Sequence, residues 1–150
     1  QYVENRKVSV FTNNGWAMEG NYPPGVRITL SGGNLYNHLM VGEYVVRNLL
    51  SESADKTFLG CAAVYDDGEF RYDIPTEIGI NEAMIGRTEK DLFVLADHSK
   101  LVIRENHMNS YGSCTYNRPC TLITDELADE AFVRALRRQG VNVLLAPVYN

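Results

Sequence analysis

Short β-branched runs alternating with segments of helical spacing predict an α/β protein: three layers, a largely parallel sheet with helices on both faces. The runs VSVFT, VRITL and LFVLA are short, apolar and flanked by polar or turn-forming residues, the signature of strands. Between them, MVGEYVVRNLLSE and ELADEAFVRALRRQG repeat apolar residues at the period of a helix.

The first strand spans 8–12 and follows the lead-in QYVENRK, whose basic end resembles the tail of a helix. A weak helical segment comes after Asn13 and Asn14, and NYPPG, 21–25, breaks it. The strand 26–30 runs into SGG, and a helix is expected over 40–52, with Val41, Tyr44, Val45 and Leu49 on one face. A strand over 56–60, a helix over 76–87 and a buried strand over 92–96 continue the alternation. The stretch RENHMNSYGSCTYNRP, 104–119, is long enough to be a surface excursion or to hold a hidden strand. PCTLITD forms a further strand. The helix after it turns Leu127, Ala131, Val133 and Leu136 mostly to one side, caps at Gly140 and leads to a last strand in VNVLLAP.

A chain of 150 residues suits one domain. Its formal charge of −5 excludes a broad basic surface for nucleic acid, since phosphate contacts need clustered Lys and Arg. Cys61, Cys114 and Cys120 show no CxxC spacing, and His38, His98 and His107 lack ligand spacing to one another. No disulfide framework, metal or redox cofactor is therefore expected. No apolar run approaches the ~18 residues that suggest a membrane span and no leader opens the chain, so a soluble, cytoplasmic protein is expected.

In open α/β sheets ligands bind where strand carboxyl ends meet. Here those ends carry Thr12, Asn13 and Asn14; Ser31, Gly32 and Gly33; and Asp97, His98, Ser99 and Lys100. A carboxylate, an ammonium, amides and bare backbone are what a small hydroxylated anion needs. The expected ligand-binding residues are Asn13, Asn14, Gly32, Gly33, Asp97 and Lys100. Each also has a purely structural reading: a tight turn at Gly32 and Gly33, a turn and N-cap at Asn13 and Asn14, a cap at Asp97, a solvated Lys100. No GxSxG elbow occurs, and Cys61 reads as a small core residue, so no catalytic residue is assigned.

The run LSGGNLYNHLMVGEYVVRNLLSESADKTFLGCAAVYDDGEF, continued by EAMIGRTEKDLFVLADHSKL, resembles the C-terminal effector-sensing domain of the DeoR family of bacterial transcriptional repressors. The matching pieces come in family order: the strand ending in Thr12 and Asn13, the pair Gly32 and Gly33, the ADKTFLG strand, the AMI helix, the D-x-S-K loop from Asp97 to Lys100, and the ITD strand end. The resemblance implies a fold related to ribose-phosphate isomerase and the CoA transferases, binding a phosphorylated sugar or similar metabolite. It places Asp97 and Lys100 in the ligand loop, with Asn13 and Gly33 at the other strand ends. Glu77 falls where the family usually has a glutamate. It further implies a homo-oligomer, and DNA contact only through an amino-terminal winged helix-turn-helix outside these residues. That domain, and the first strand with its glycine-threonine-threonine phosphate loop, are expected to be missing from the chain. Departures are Tyr36 in place of a frequent arginine, Cys61-Ala62-Ala63 in place of a glycine-rich turn, and the poorly matching 104–119.

The expected function is thus a metabolite-sensing domain without catalysis. The rival is a sugar-phosphate isomerase of the same fold, which needs a carboxylate base; Asp66, Asp67, Glu69, Asp73 and Glu77 are its candidates, and none has a glycine-rich setting. A third reading is an oligomerisation module with an empty pocket.

Overall fold

The computed structural model describes residues 7–72, 75–103, 109–113 and 120–149, the side chains of 109–113 excepted. The lead-in before Lys7, Asp73, His107 and Cys114 lie outside the described residues. The chain divides into two compact units, residues 1–51 and 52–150.

In the first unit β1 (Val8–Thr12) and β2 (Val26–Leu30) pair in parallel, from Val8 opposite Val26 to Thr12 opposite Leu30. The weak helical segment is a single 3-10 turn, Gly15–Met18. A hairpin follows that the sequence did not announce: β3 (Asn34–Tyr36) pairs antiparallel with β4 (Leu39–Val41). Its turn residues Asn37 and His38 both take left-handed φ, 45° and 64°, the two-residue geometry that matches strand twist. Because Met40 and Val41 belong to this hairpin, α1 starts later than expected and spans Glu43–Leu50. Val45 and Leu49 are buried on it, whereas Tyr44 turns outward.

The second unit is built on a parallel sheet ordered β12-β11-β8-β5. Its strands are β5 (Ala54–Gly60), β8 (Thr88–Leu95), β11 (Cys120–Asp125) and β12 (Asn142–Ala146). The α/β architecture with a parallel sheet is the one that the alternation predicted. Between β5 and β8 the chain adds the hairpin β6 (Ala63–Tyr65) and β7 (Glu69–Tyr72), then α2 (Pro75–Gly86). The hairpin joins β9 (Leu101–Val102) and β10 (Asn109–Ser113) in a second sheet, ordered β10-β7-β6-β9. The hidden strand allowed for in 104–119 is thus β10, while 104–108 and 114–119 lie outside the described residues.

Helix α3 (Glu130–Arg138) begins later than its apolar pattern suggested, because the Asp129 carboxylate accepts from the Phe132 N–H at 2.8 Å and caps it there. Leu127 therefore precedes the helix and is exposed. Gly140 ends it as expected, one position beyond the cap: with φ 85° it lets its own N–H reach Arg137 O and the Val141 N–H reach Leu136 O. These two bonds satisfy carbonyls that a helix end otherwise leaves open.

Strand register explains the core. Leu59, Val94, Leu122 and Val143 stand side by side across the four strands, and all are buried in one cluster with Val133 and Leu136 of α3. Ile78, Met84 and Ile85 of α2 pack against the same cluster. The strands advance in one direction across the sheet, and right-handed crossovers then place both helices on the same side. The alternate residues point the other way: Phe58, Leu95 and Leu144 keep 59%, 45% and 49% of their surface exposed, and Phe58 stacks on Phe93 with ring centroids 4.9 Å apart.

Candidate functional site

The carboxyl ends of β1 and β2 are adjacent in the first unit, since the Ser31 N–H donates to Thr12 O at 2.9 Å. Asn13 is engaged through both backbone and side chain: its O accepts from Met40 N at 2.7 Å and its Nδ2 donates to Met40 O at 3.3 Å. Asn14 caps the 3-10 turn, its Oδ1 accepting from Trp16 N at 3.0 Å. Ser31 is buried, and its carbonyl accepts from Asn48 Nδ2 at 2.7 Å. Gly32 and Gly33 follow with φ of 68° and 108°, a backbone that side chains with a Cβ resist. The turn reading of these residues is realised in the geometry. It leaves Asn13, Asn14, Gly32 and Gly33 gathered at one pair of strand ends.

In the second unit Asp97 and Lys100 sit beyond the end of β8 on a 3-10 turn, His98–Lys100. Asp97 caps it, accepting from the Ser99 N–H at 2.9 Å and from the Ser99 hydroxyl, and the Lys100 N–H donates back to Asp97 O at 2.9 Å. The Ser99 hydroxyl and N–H, more than the nearby Lys100 and His98, hold the Asp97 carboxyl below the ordinary carboxylate range against the effect of burial. Asp97 is thus an ionised cap on an exposed turn that carries Lys100.

The turn is tied to the next strand by a contact that sequence reasoning missed. Asp125, the last residue of β11, accepts from His98 N through Oδ2 at 2.8 Å and meets His98 Nδ1 through Oδ1 at 2.9 Å. Its Oδ1 also takes the Leu127 N–H at 2.9 Å. The available signal was that ITD ends a strand beside the one ending in DHSK; Leu95 and Ile123 are partners in the ladder. Ligand-type atoms of Asp97, His98 and Asp125 lie within 4.8 Å of one another, a grouping invisible to spacing rules between histidines.

Cys61, at the end of β5, is buried, which pushes its thiol up to about 12, with Lys100 pulling it down and Asp97 raising it. A thiol of that kind stays protonated at neutral pH and is a poor nucleophile. Of the rival's candidate bases, Asp66 and Asp67 occupy the β6–β7 turn, where Asp67 accepts from Glu69 N at 3.0 Å. Glu69 opens β7 and pairs with Arg71, and Glu77 is buried in the first turn of α2. Among the described residues no helix is long and apolar enough to cross a membrane.

The sequence profile of the DeoR C-terminal sensor domain matches residues 1–126. The chain belongs to that family. It is also 31% identical over 124 residues to the HTH-type transcriptional repressor GlcR of Bacillus subtilis (strain 168), a match covering 81% of this chain and 45% of that repressor. This DeoR sensor domain therefore spans less than half the length of the curated relative that it matches. Its DHSK turn and its paired TNN and SGG strand ends all fall inside the matched residues.

Proposed function

We propose that residues 1–150 are the effector-sensing part of a cytoplasmic transcriptional repressor of sugar metabolism and bind a phosphorylated sugar or a related metabolite without turning it over. The observation that carries this reading is the DHSK turn at the carboxyl end of β8, which presents an ionised Asp97 and the Lys100 ammonium on one short segment of a sensor domain. The carboxylate accepts hydroxyl protons and the ammonium meets the phosphate. The first unit, by itself, gathers the amides of Asn13 and Asn14 and the bare backbone of Gly32 and Gly33 at one pair of strand ends. The relative's name, an HTH-type repressor, supports DNA binding through a helix-turn-helix outside these residues, in keeping with the charge of −5.

Binding without catalysis is favoured over isomerisation because two of the candidate carboxylates serve structural ends: Asp67 holds a hairpin turn and Glu69 pairs with Arg71. A thermal-shift screen of hexose and pentose phosphates, with aldose–ketose interconversion followed in the same tubes, separates the readings. Stabilisation without interconversion is expected, because a ligand bound only to the folded state adds about 2.7 kcal/mol at a hundredfold excess over Kd. Turnover of the stabilising compound would make the domain an isomerase. Lys100→Ala should weaken binding of that compound by about 1.5–3 kcal/mol, the scale of one charged hydrogen bond. Equal affinities in calorimetry would remove this turn from the pocket.

Recognition of a two-fold operator also calls for an even-numbered assembly. Light scattering on the chain should accordingly report a dimer or a larger even oligomer. A strict monomer at high concentration would take subunit contacts away from these residues.

A further inference from the structure

Asp125 does more than anchor the DHSK turn, because its contacts dictate which nitrogen of His98 carries the proton. The carboxylate meets Nδ1 through both oxygens, at 2.9 and 3.0 Å, while accepting the backbone N–H of the same residue at 2.8 Å. The His98 backbone N–H is the main influence holding the Asp125 carboxyl below its ordinary range, ahead of the ring and the Leu127 N–H and against the effect of burial. An ionised carboxylate only accepts, so Nδ1 bears the hydrogen and a neutral ring is left with its lone pair on Nε2. The imidazole is 45% exposed while its partner carboxylate is only 16% exposed. The carboxylate is thus the more covered member of the pair and the imidazole the more exposed.

We propose that His98 is a ligand-contacting residue of the sensor, its tautomer set by Asp125, with Nε2 accepting a hydrogen bond from a sugar hydroxyl next to the groups held by Asp97 and Lys100. This rests on the sugar-phosphate reading above and adds a residue to it. It also gives the turn a division of labour: ammonium for phosphate, imidazole lone pair for a hydroxyl. Polyol recognition by such an acceptor depends on direction, because a buried hydroxyl without a partner is penalised. A divalent cation held by Asp97, His98 and Asp125 is the competing use of these atoms. It fits less well, because Asp125 already accepts from His98 N, from the ring and from Leu127 N, and Asp97 Oδ1 accepts from Ser99. A metal on Nδ1 would have to strip its proton, and one on the two carboxylates would compete with those donors.

The test has two arms, both on the intact protein. Without ligand, long-range 15N spectra should show the Nδ1–H tautomer for His98 in neutral solution and a shift toward Nε2–H in Asp125→Asn. Wild-type His98 in the Nε2–H form would overturn the assignment at its root. In the second arm, the compound that stabilises best in the sugar-phosphate screen is titrated in. The His98 Nε2 resonance should move, and inorganic phosphate alone should leave it in place. His98→Asn keeps a donor where Nδ1 was and removes the Nε2 acceptor. It should therefore lose about two- to tenfold in affinity, the range for one neutral hydrogen bond, with the melting temperature of the free protein unchanged. His98→Gln, which restores an acceptor near the Nε2 position, should recover part of the loss. If the sugar phosphate binds His98→Asn as tightly as wild type, the dyad is a structural tie and the sensor reading survives without it. If the free-protein tautomer is as stated and no compound in the panel binds, the sensor reading fails and takes the contact with it. A ring shift produced by magnesium or zinc in the absence of sugar would replace the proposal with the cation site.

Discussion

Replacing Gly33 by alanine is expected to destabilise the first unit by about 3 kcal/mol, combining left-handed backbone strain with overpacking, each about 1–3 kcal/mol. A Cβ on Gly33 would lie 2.7 Å from Val45 Cγ2 and 2.9 Å from Val41 O, at a φ of 108°. Neither neighbour can yield easily. Val45 is fully buried on α1, and Val41 is held in the β3–β4 ladder by its pairing with Asn34. Gly32 supplies the control within the same turn: its φ is 68° and the nearest atom to an added Cβ is Asn48 Nδ2 at 3.8 Å. Gly32→Ala should therefore show only the left-handed cost, about 1–2 kcal/mol. Urea unfolding of both variants, with amide exchange at Ser31 and Val45 as the local readout, compares them directly. Equal losses in the two would mean that the packing against Val45 and Val41 contributes nothing.

The glycines also show where sequence reading succeeds and where it stops. β1 and β2 match the residues expected, because β-branched runs bounded by NN, NYPPG and SGG leave little choice of ends. The hairpin β3–β4 was missed because its turn is Asn37-His38; a histidine at φ 64° replaces the glycine that marks most such turns. The β6–β7 hairpin did carry that mark in Asp67-Gly68, with Gly68 at φ 84°, and the flanking AVY and EFRY were too short to read as strands alone. α3 shows the converse error, a periodic pattern extended back to Leu127 past the carboxylate that caps the helix. Local chemistry at Asp129 decides that boundary, and apolar spacing does not register it.

For the site, the residue types at each strand end were legible and their joint arrangement was not. Asn13 and Gly33 share one pair of strand ends because β1 and β2 are neighbours in the ladder, which alternation implies. The bond between His98 and Asp125 joins residues 27 positions apart. It depends on β8 and β11 being adjacent in register, with Leu95 opposite Ile123, which no local pattern encodes. The same register connects the turn to the stability of the sheet: Asp125 can reach His98 only while β11 is held in line with β8.

That dependence makes Leu122 the position whose truncation should cost most in the second unit. Leu122 is fully buried in the middle of the row Leu59–Val94–Leu122–Val143, with Val133 and Leu136 of α3 in the same cluster. Leu122→Ala removes side-chain volume where strands on both sides and a helix above are already packed, so little collapse can fill the space. The expected loss is about 3–4 kcal/mol, within the range of about 2–5 for buried leucines and a large share of the roughly 5–15 kcal/mol that holds a domain folded. Leu144→Ala is the matched comparison, because Leu144 sits on the neighbouring strand with its side chain on the opposite face and 49% of its surface exposed. It should cost under about 1 kcal/mol, as surface substitutions generally do. Denaturant unfolding followed by far-ultraviolet circular dichroism gives both numbers. If Leu144→Ala destabilised the protein as much as Leu122→Ala, the packed face of the sheet would be the wrong one. The helices α2 and α3 would then have to be placed again relative to the strand ends that carry Asp125 and the DHSK turn.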